Sequence, residues 1–93
     1  MIWSKKILIE DIKNKLTRAL NPNQLDVIDE SSQHFGHVGW KEGVVTHIKI
    51  DIIADSFNGL SKVQRHKVIY QILGSEINNG LHAVRISAKT LNE

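Results

Sequence analysis

The alternation of hydrophobic and polar residues divides the chain into six segments of regular structure. The clearest helical segment spans residues 61–73, where apolar side chains recur every three or four positions and polar ones face away. Its first residue, Ser61, and Gln64 match a capping box, in which each side chain accepts a hydrogen bond from the backbone amide of the other. The apolar arc of this helix is predicted to contain Val63, His66, Ile69, Tyr70, Ile72 and Leu73, with Arg65 at its edge.

The segments before this helix are predicted to be one helix and two strands. Apolar residues at three- and four-residue steps indicate a helix over residues 4–20, with Ser4 as its N-cap and Pro22 just beyond its end. A short strand is predicted over Gln24–Asp29. The most regular alternation marks a strand over residues 46–54, which places three isoleucines on one face and His47, Lys49 and Asp51 on the other.

The segments that connect these elements contain glycines and turn motifs, which predict where the elements begin and end. Residues 30–45 contain three glycines and show no stable period, and they are more numerous than a hairpin needs. We expect this loop to be functional or mobile. Phe57-Asn58-Gly59 indicates a turn, Gly74 ends or breaks the long helix, and a short helix over 75–79 leads through Asn79-Gly80 to a last strand over 82–89.

This order of elements predicts a single domain over residues 1–93 with an α+β fold, a two-layer α/β sandwich. Two strands joined without an intervening helix favour antiparallel pairing, and the last strand can join the sheet through a helical crossover. The result is the order α-β-β-α-α-β and a three-stranded mixed sheet with its helices on one face. The open face is predicted to carry His47, Lys49, Asp51, Arg85 and Ser87.

The composition limits which metal ligands the chain can supply and which partners it favours. The chain of 93 residues has no cysteine and five histidines, so any metal must be held by imidazole, carboxylate or backbone oxygen. A formal net charge of +2 is weak support for nucleic-acid binding. No apolar run is long enough to cross a bilayer, and acidic residues follow the N-terminus too soon for a secretory signal. We therefore expect a cytoplasmic protein that is not associated with a membrane.

Five short motifs resemble the BolA family. They are Glu30-Ser31, Thr46-His47, Phe57-Asn58-Gly59, Val63-x-Arg65-His66-x-x-x-Tyr70 and Leu81-His82-Ala83, in the order and with the spacing typical of that family. The resemblance extends from about residue 25 to residue 93 and implies the BolA variant of the class II KH-like topology. The chain departs from the family at Lys67, where arginine is common, and at Leu91, where proline is common.

The resemblance implies a non-enzymatic protein that pairs with a monothiol glutaredoxin and shares a glutathione-dependent [2Fe-2S] cluster. The isolated chain would be a monomer without cofactor, and the cluster would form in the heterodimer. The family's histidine before the last strand corresponds to His82. The second ligand comes from the loop between the first two strands, where His34 and His37 stand in a His-x-Gly-His pattern typical of the histidine-bearing branch. Two imidazoles on one iron and two thiolates on the other form a Rieske-type ligand set.

The other histidines are assigned structural roles. His66 lies on the apolar arc, so we expect it to be a hydrogen-bonded core residue that joins helix and sheet. Tyr70 is predicted to be in the core with its hydroxyl at the rim. His47 is expected to be an ordinary residue of the sheet surface.

The resemblance also implies the alternative of a DNA-binding transcriptional regulator. The residues expected to bind a partner or nucleic acid are Lys62, Arg65, His66, Lys67 and Arg85, and Lys89 adds a further basic group. The Gly-x-x-Gly clamp of nucleic-acid-binding KH modules is absent after Gly74, because the second glycine is missing. A zinc enzyme is the least supported interpretation.

Overall fold

A computed structural model describes residues 5–31 and 47–93 of the protein. The described elements are α1 (Lys5–Leu20), β1 (Gln24–Asp29), β2 (His47–Ile53), a 3-10 turn (Asp55–Phe57), α2 (Lys62–Ile72), α3 (Gly74–Asn78) and β3 (Ala83–Lys89). The predicted order α-β-β-α-α-β is confirmed, and every strand end lies within one residue of its predicted position. The predicted N-cap Ser4 and most of the loop over 30–45 lie outside the described residues.

The three strands form one mixed sheet in the order β1-β2-β3. β1 pairs antiparallel with β2, and β2 pairs parallel with β3. Lys49 is opposite Arg85 and Asp51 is opposite Ser87, so the predicted polar face of the sheet is confirmed for these four residues. His47, which was predicted to be an ordinary residue of that open face, is buried. The mixed sheet follows from the connections, because a helical crossover returns β3 to the same end at which β2 begins.

The core lies between the other face of the sheet and the helices. β2 is the central strand, and Ile48, Ile50 and Ile52 are almost fully buried there. They pack in one cluster with residues of α1, β1, α2 and the connections between elements: Ile12, Leu16, Leu20, Val27, Ala54, Phe57, Ile69, Leu73 and Leu81. Among the described residues, no helix is both long enough and apolar enough to cross a membrane.

The start of α2 has the predicted capping box. The Gln64 amide donates to Ser61 Oγ at 3.2 Å, and the Ser61 amide donates to Gln64 Oε1 at 2.8 Å. These bonds satisfy donors that the first turn of a helix leaves unpaired. Just before this cap, Gly59 has φ +82°, a left-handed conformation that glycine adopts without steric cost and that the turn requires.

The predicted inner face of α2 is wrong in part. Val63 is 64% exposed and Tyr70 is 43% exposed, whereas Arg65 is only 7% exposed. The helix is rotated so that Arg65, Ile69 and Leu73 face the sheet, because Arg65 finds acceptors there that satisfy its guanidinium. His66 is half-buried at the side of the helix and is not a core residue.

An ion pair joins α3 to α1. Lys15 Nζ contacts Glu76 Oε1, and the Glu76 side chain is buried. Glu76 Oε2 has no hydrogen-bond partner among the described residues. Because α3 ends at Asn78 and Gly80 follows with φ +121°, the chain turns sharply there and enters β3.

Candidate functional site

Two histidines that are distant in sequence meet at one end of the sheet. The rings of His47 and His82 have centroids 5.3 Å apart and planes inclined by 57°. His47 is the first residue of β2 and is 7% exposed, while His82 immediately precedes β3 and is exposed. We call these two residues the histidine pair.

The parallel pairing of β2 with β3 produces this pair. In the strand register, His47 is opposite Ala83, the residue directly after His82. Parallel strands begin at the same end of a sheet, so residues at the two starts become neighbours. The position of His82 is therefore set by the crossover and not by any local sequence feature.

Hydrogen bonds from the end of β1 fix the backbone of His47. The Glu30 amide donates to the His47 carbonyl at 2.9 Å, and the His47 amide donates to Ser31 Oγ at 3.3 Å. Ser31 is itself oriented by its amide, which donates to Asp29 Oδ1 at 2.9 Å. The Glu30-Ser31 motif thus holds the start of β2 in place.

A buried carboxylate lies at the same end of the sheet. Glu30 is buried, and its Oε1 is 3.5 Å from Arg85 Nε. Arg85 is exposed, and its side chain extends from the polar face of β3 near this end of the sheet. The predicted partner-binding residue Arg85 is therefore near the histidine pair and not near the basic residues of α2.

The separation of the two ring centres is compatible with two ligands of one metal, and it is also the spacing of an ordinary tilted ring contact. Two imidazoles bound tetrahedrally through bonds of about 2.1 Å have ring centres about 5 Å apart, close to the observed separation. Within residues 5–31 and 47–93, no group of three or more histidine, aspartate or glutamate side chains is arranged to hold a metal ion. Two imidazoles alone fill half of a tetrahedral shell, so further ligands would have to come from elsewhere.

The basic residues of α2 lie at the opposite end of β3. A groove of about 770 Å³ runs between the start of α2 and the second half of β3. It is lined by Leu60, Lys62, Arg65, His66, Ile86, Ser87, Ala88, Lys89 and Glu93. We call it the β3 edge groove. It contains three of the five residues predicted to bind a partner or nucleic acid, whereas Lys67 is exposed and does not line it.

Arg65 forms an internal clamp at this groove. Its Nε donates to the Leu60 carbonyl at 3.0 Å and its Nη1 donates to the Ala88 carbonyl at 3.0 Å. The same guanidinium forms a two-point ion pair with Glu93, at 2.5 Å to Oε1 and 2.8 Å to Oε2, and lies over the Phe57 ring. The guanidinium therefore ties α2 to β3 and to the tail, and direct contact with a partner stays a prediction.

The clamp changes the titration of the tail carboxylate. The side-chain hydrogen bond from Arg65 is the largest cause that lowers the pKa of Glu93 from 4.5 to about 2, and the Thr90 amide, which donates to Oε1 at 2.8 Å, lowers it further. The same contact raises the pKa of Arg65. Glu93 is thus ionised throughout the neutral range.

The structure separates the predicted site residues into two places. His82 and Arg85 lie at the start of β3, and Lys62, Arg65 and His66 lie beside its end. His34 and His37 are outside the described residues. Reasoning from the sequence missed His47: strand alternation placed it correctly on the polar face, but could not show that this end of the face is buried beside His82. The Thr46-His47 motif was the available signal.

Comparison with known proteins identifies relatives over most of the chain. The profile of the family described as BolA-like protein matches residues 16–93. The chain is 42% identical over 83 residues to SufE-like protein 1, chloroplastic/mitochondrial, of Arabidopsis thaliana, and 38% identical over 84 residues to the chloroplastic protein BOLA1 of the same plant. These alignments cover 85% and 88% of this chain but 22% and 52% of the relatives, so the chain spans only part of their length.

Solved structures give the same result. The BolA domain of SufE1 from Arabidopsis thaliana superposes with a TM-score of 0.82 at 36% identity, covering 98% of both chains. BolA1 from the same organism superposes with a TM-score of 0.79 at 33% identity, covering 91% of this chain and 93% of that one. The predicted fold class is confirmed, and the protein belongs to the BolA-like family.

Proposed function

We propose that the protein is a non-enzymatic adaptor that binds a [2Fe-2S] cluster jointly with a monothiol glutaredoxin and glutathione, in iron–sulfur cluster trafficking or iron regulation. The observation that carries this proposal is the position of His82, an exposed imidazole at the start of β3 whose ring centre lies 5.3 Å from that of His47. The partner and glutathione would supply the thiolates that this cysteine-free chain lacks.

His82 is the first proposed ligand from this chain. It is exposed and stands at the start of an edge strand, so a partner protein can approach it. The second ligand is His34 or His37, as the family resemblance implies, and His47 is a third candidate that the histidine pair adds. His34 is three residues beyond Ser31, which bonds to His47, and three residues span at most about 11 Å. The chain length therefore permits a loop ligand at this end of the sheet.

The experiment is reconstitution of the cluster with a monothiol glutaredoxin and glutathione, followed by visible absorption, circular dichroism and the rate of cluster loss. His82→Ala is expected to change the visible spectrum and to speed cluster loss at least about ten-fold, because one iron loses an imidazole ligand. The same measurement on His34→Ala, His37→Ala and His47→Ala identifies the second ligand.

Thermal unfolding of each variant without cluster is the control. His82 is exposed, so His82→Ala is expected to unfold at the wild-type temperature. His47 is buried, so a loss of cluster in His47→Ala counts only if the variant remains folded. An unchanged spectrum and unchanged cluster lifetime in His82→Ala would overturn the proposed cluster site.

A second candidate function is DNA binding by a transcriptional regulator. The observation that favours it is the basic rim of the β3 edge groove, formed by Lys62, His66 and Lys89. Phosphate contacts would make binding fall steeply with salt. Selective binding of a duplex that is lost in Lys62→Ala supports this function, whereas weak, uniform binding to any duplex argues against it.

A further inference from the structure

The outer edge of β3 presents backbone amides and carbonyls that do not pair with β2. This edge is separate from the histidine pair. Among the described strands, β3 pairs only with β2. The Ala54 amide donates to the Lys89 carbonyl at 2.9 Å, so the backbone of Lys89 faces β2. Because successive peptide groups of a strand point to opposite sides, the backbones of Val84, Ile86 and Ala88 point away from the sheet.

Two of these three outward carbonyls are occupied by side chains of α2. Tyr70 Oη donates to the Val84 carbonyl at 3.4 Å, and Arg65 Nη1 donates to the Ala88 carbonyl at 3.0 Å. Ile86 lies between them, and no described residue forms a hydrogen bond with its outward amide or carbonyl. Among the described residues, Ile86 is thus the one outward position of β3 at which both the amide and the carbonyl are open, since the carbonyls of its outward neighbours Val84 and Ala88 are occupied.

The β3 edge groove begins at this open position. Leu60, Ile86 and Ala88 are half-buried and supply apolar surface in the groove. The exposed side chains of Lys62 and Lys89 stand at its rim. The one carboxylate among its lining residues is that of Glu93, which is held by two bonds to Arg65.

We propose that the β3 edge groove binds an extended acidic segment of a partner protein, which adds as a fourth strand along β3. Its backbone would pair with the open amide and carbonyl of Ile86, as in other cases of strand addition. Its apolar side chains would contact Ile86 and Leu60, and its carboxylates would lie near Lys62 and Lys89. The segment binds with or without a cluster at the histidine pair.

The open backbone pair favours a peptide over a nucleic acid as the occupant. A peptide strand presents an amide and a carbonyl at the spacing of β3, whereas a sugar–phosphate backbone presents acceptors and has no amide to pair with the Ile86 carbonyl. Sequence-tolerant binding of single strands usually relies on aromatic platforms, and the residues that line this groove include no aromatic ring other than His66.

The first test uses the unmodified protein and a fluorescent seven-residue peptide of alternating valine and glutamate. We expect saturable binding by fluorescence anisotropy and slower hydrogen exchange at the Ile86 amide in the complex. A peptide with N-methylated backbone amides is expected to bind at least about ten-fold more weakly, because it cannot donate to β3. A peptide of alternating valine and lysine is the charge control and is expected not to bind.

The second test changes the rim of the groove. The double variant Lys62→Glu, Lys89→Glu is expected to weaken binding of the acidic peptide about ten-fold and to strengthen binding of the lysine peptide. Both side chains are exposed, so the fold is expected to remain intact. The double variant Lys13→Glu, Arg18→Glu on α1, which makes the same change of charge away from the groove, is the matched control and is expected to leave binding unchanged.

Three results would overturn the proposal. One is the absence of saturable binding of the acidic peptide up to about 1 mM, which corresponds to negligible affinity. Another is an N-methylated peptide that binds as well as the unmodified one, since strand pairing would then play no part. The third is a single-stranded oligonucleotide of equal charge that binds more tightly at the same residues, which would make the groove a nucleic-acid surface. None of these results bears on the cluster, because glutaredoxin and iron are absent from the test.

Discussion

At the scale of single residues, the contact between Arg65 and Glu93 joins α2 to the residues that follow β3. A guanidinium that is shielded from solvent needs acceptors, and this one finds two backbone carbonyls and a carboxylate. The planar fork of arginine matches the two oxygens of Glu93, which a lysine at this position could not do. The role of Arg65 is therefore structural, because its side chain is buried and its guanidinium is bonded within the protein.

The ion pair predicts a specific dependence of stability on pH. The folded pKa of Glu93 is about 2 and its ordinary value is 4.5, so this group stabilises the fold above pH 4.5. As pH falls from 4.5 to 2, that stabilisation is lost. We expect Glu93→Gln to unfold at a lower temperature than the wild type at pH 6 and at nearly the same temperature at pH 2.

Differential scanning calorimetry of both proteins across this pH range is the measurement. Comparison of the two cancels the titration of the other carboxylates, which both proteins share. Glu10→Gln, at an exposed position of α1, provides a control for loss of one carboxylate without a clamp. A gap between wild type and Glu93→Gln that stays constant from pH 6 to pH 2 would show that Arg65 does not act through the ionised carboxylate.

The burial of single side chains in α2 and the contacts between distant residues could not be predicted from the sequence. Helical periodicity treats hydrophobicity as a measure of burial, and it therefore placed Val63 and Tyr70 inside and Arg65 at the edge. Two of the three groups that accept from Arg65, the Ala88 carbonyl and the Glu93 carboxylate, lie far along the chain, and no local pattern indicates them. His47 and His82 likewise become neighbours only through the parallel pairing of their strands.

At the scale of elements, the sequence was most informative where local rules apply. The bounds of β1 and the capping box of α2 were predicted correctly, because alternation and end capping depend on neighbours within a few positions. The face of α2 that packs on the sheet depends on a distant element and was predicted incorrectly in part.

The capping box of α2 gives a prediction for Ser61→Ala. The substitution removes the acceptor of the Gln64 amide, so we expect the free energy of unfolding to fall by about 1 kcal/mol. Urea unfolding followed by circular dichroism measures this change. Ser75→Ala, at an exposed position inside α3, is the matched control and is expected to change little. An equal loss in both variants would show that the cap contributes nothing specific.

At the scale of the whole molecule, β3 links two surfaces of different chemistry. Its start lies beside the histidine pair, and its second half lines the β3 edge groove. From Ala83 to Lys89 the strand extends about 20 Å, at roughly 3.3 Å per residue. A partner could contact either surface alone, or both if it follows the strand.

This separation predicts that the two surfaces act independently in the isolated chain. His82→Ala is expected to leave binding of the acidic peptide unchanged, and the triple variant that adds Lys62→Glu and Lys89→Glu is expected to bind it as weakly as the double variant. Anisotropy titrations of the four proteins make up the required cycle. A change of more than about two-fold on His82→Ala would indicate coupling between the ends of β3.

The parallel pairing of β2 with β3 has a further consequence for folding. The histidine pair exists only after the crossover through α2 and α3 has closed, and such long-range pairing is slow because the loop loses entropy before contacts form. A ligand that needs both imidazoles therefore recognises the completed sheet and not the unfolded chain. Binding at that end would hold together two strands that have no covalent link nearby, and would stabilise the native state by mass action.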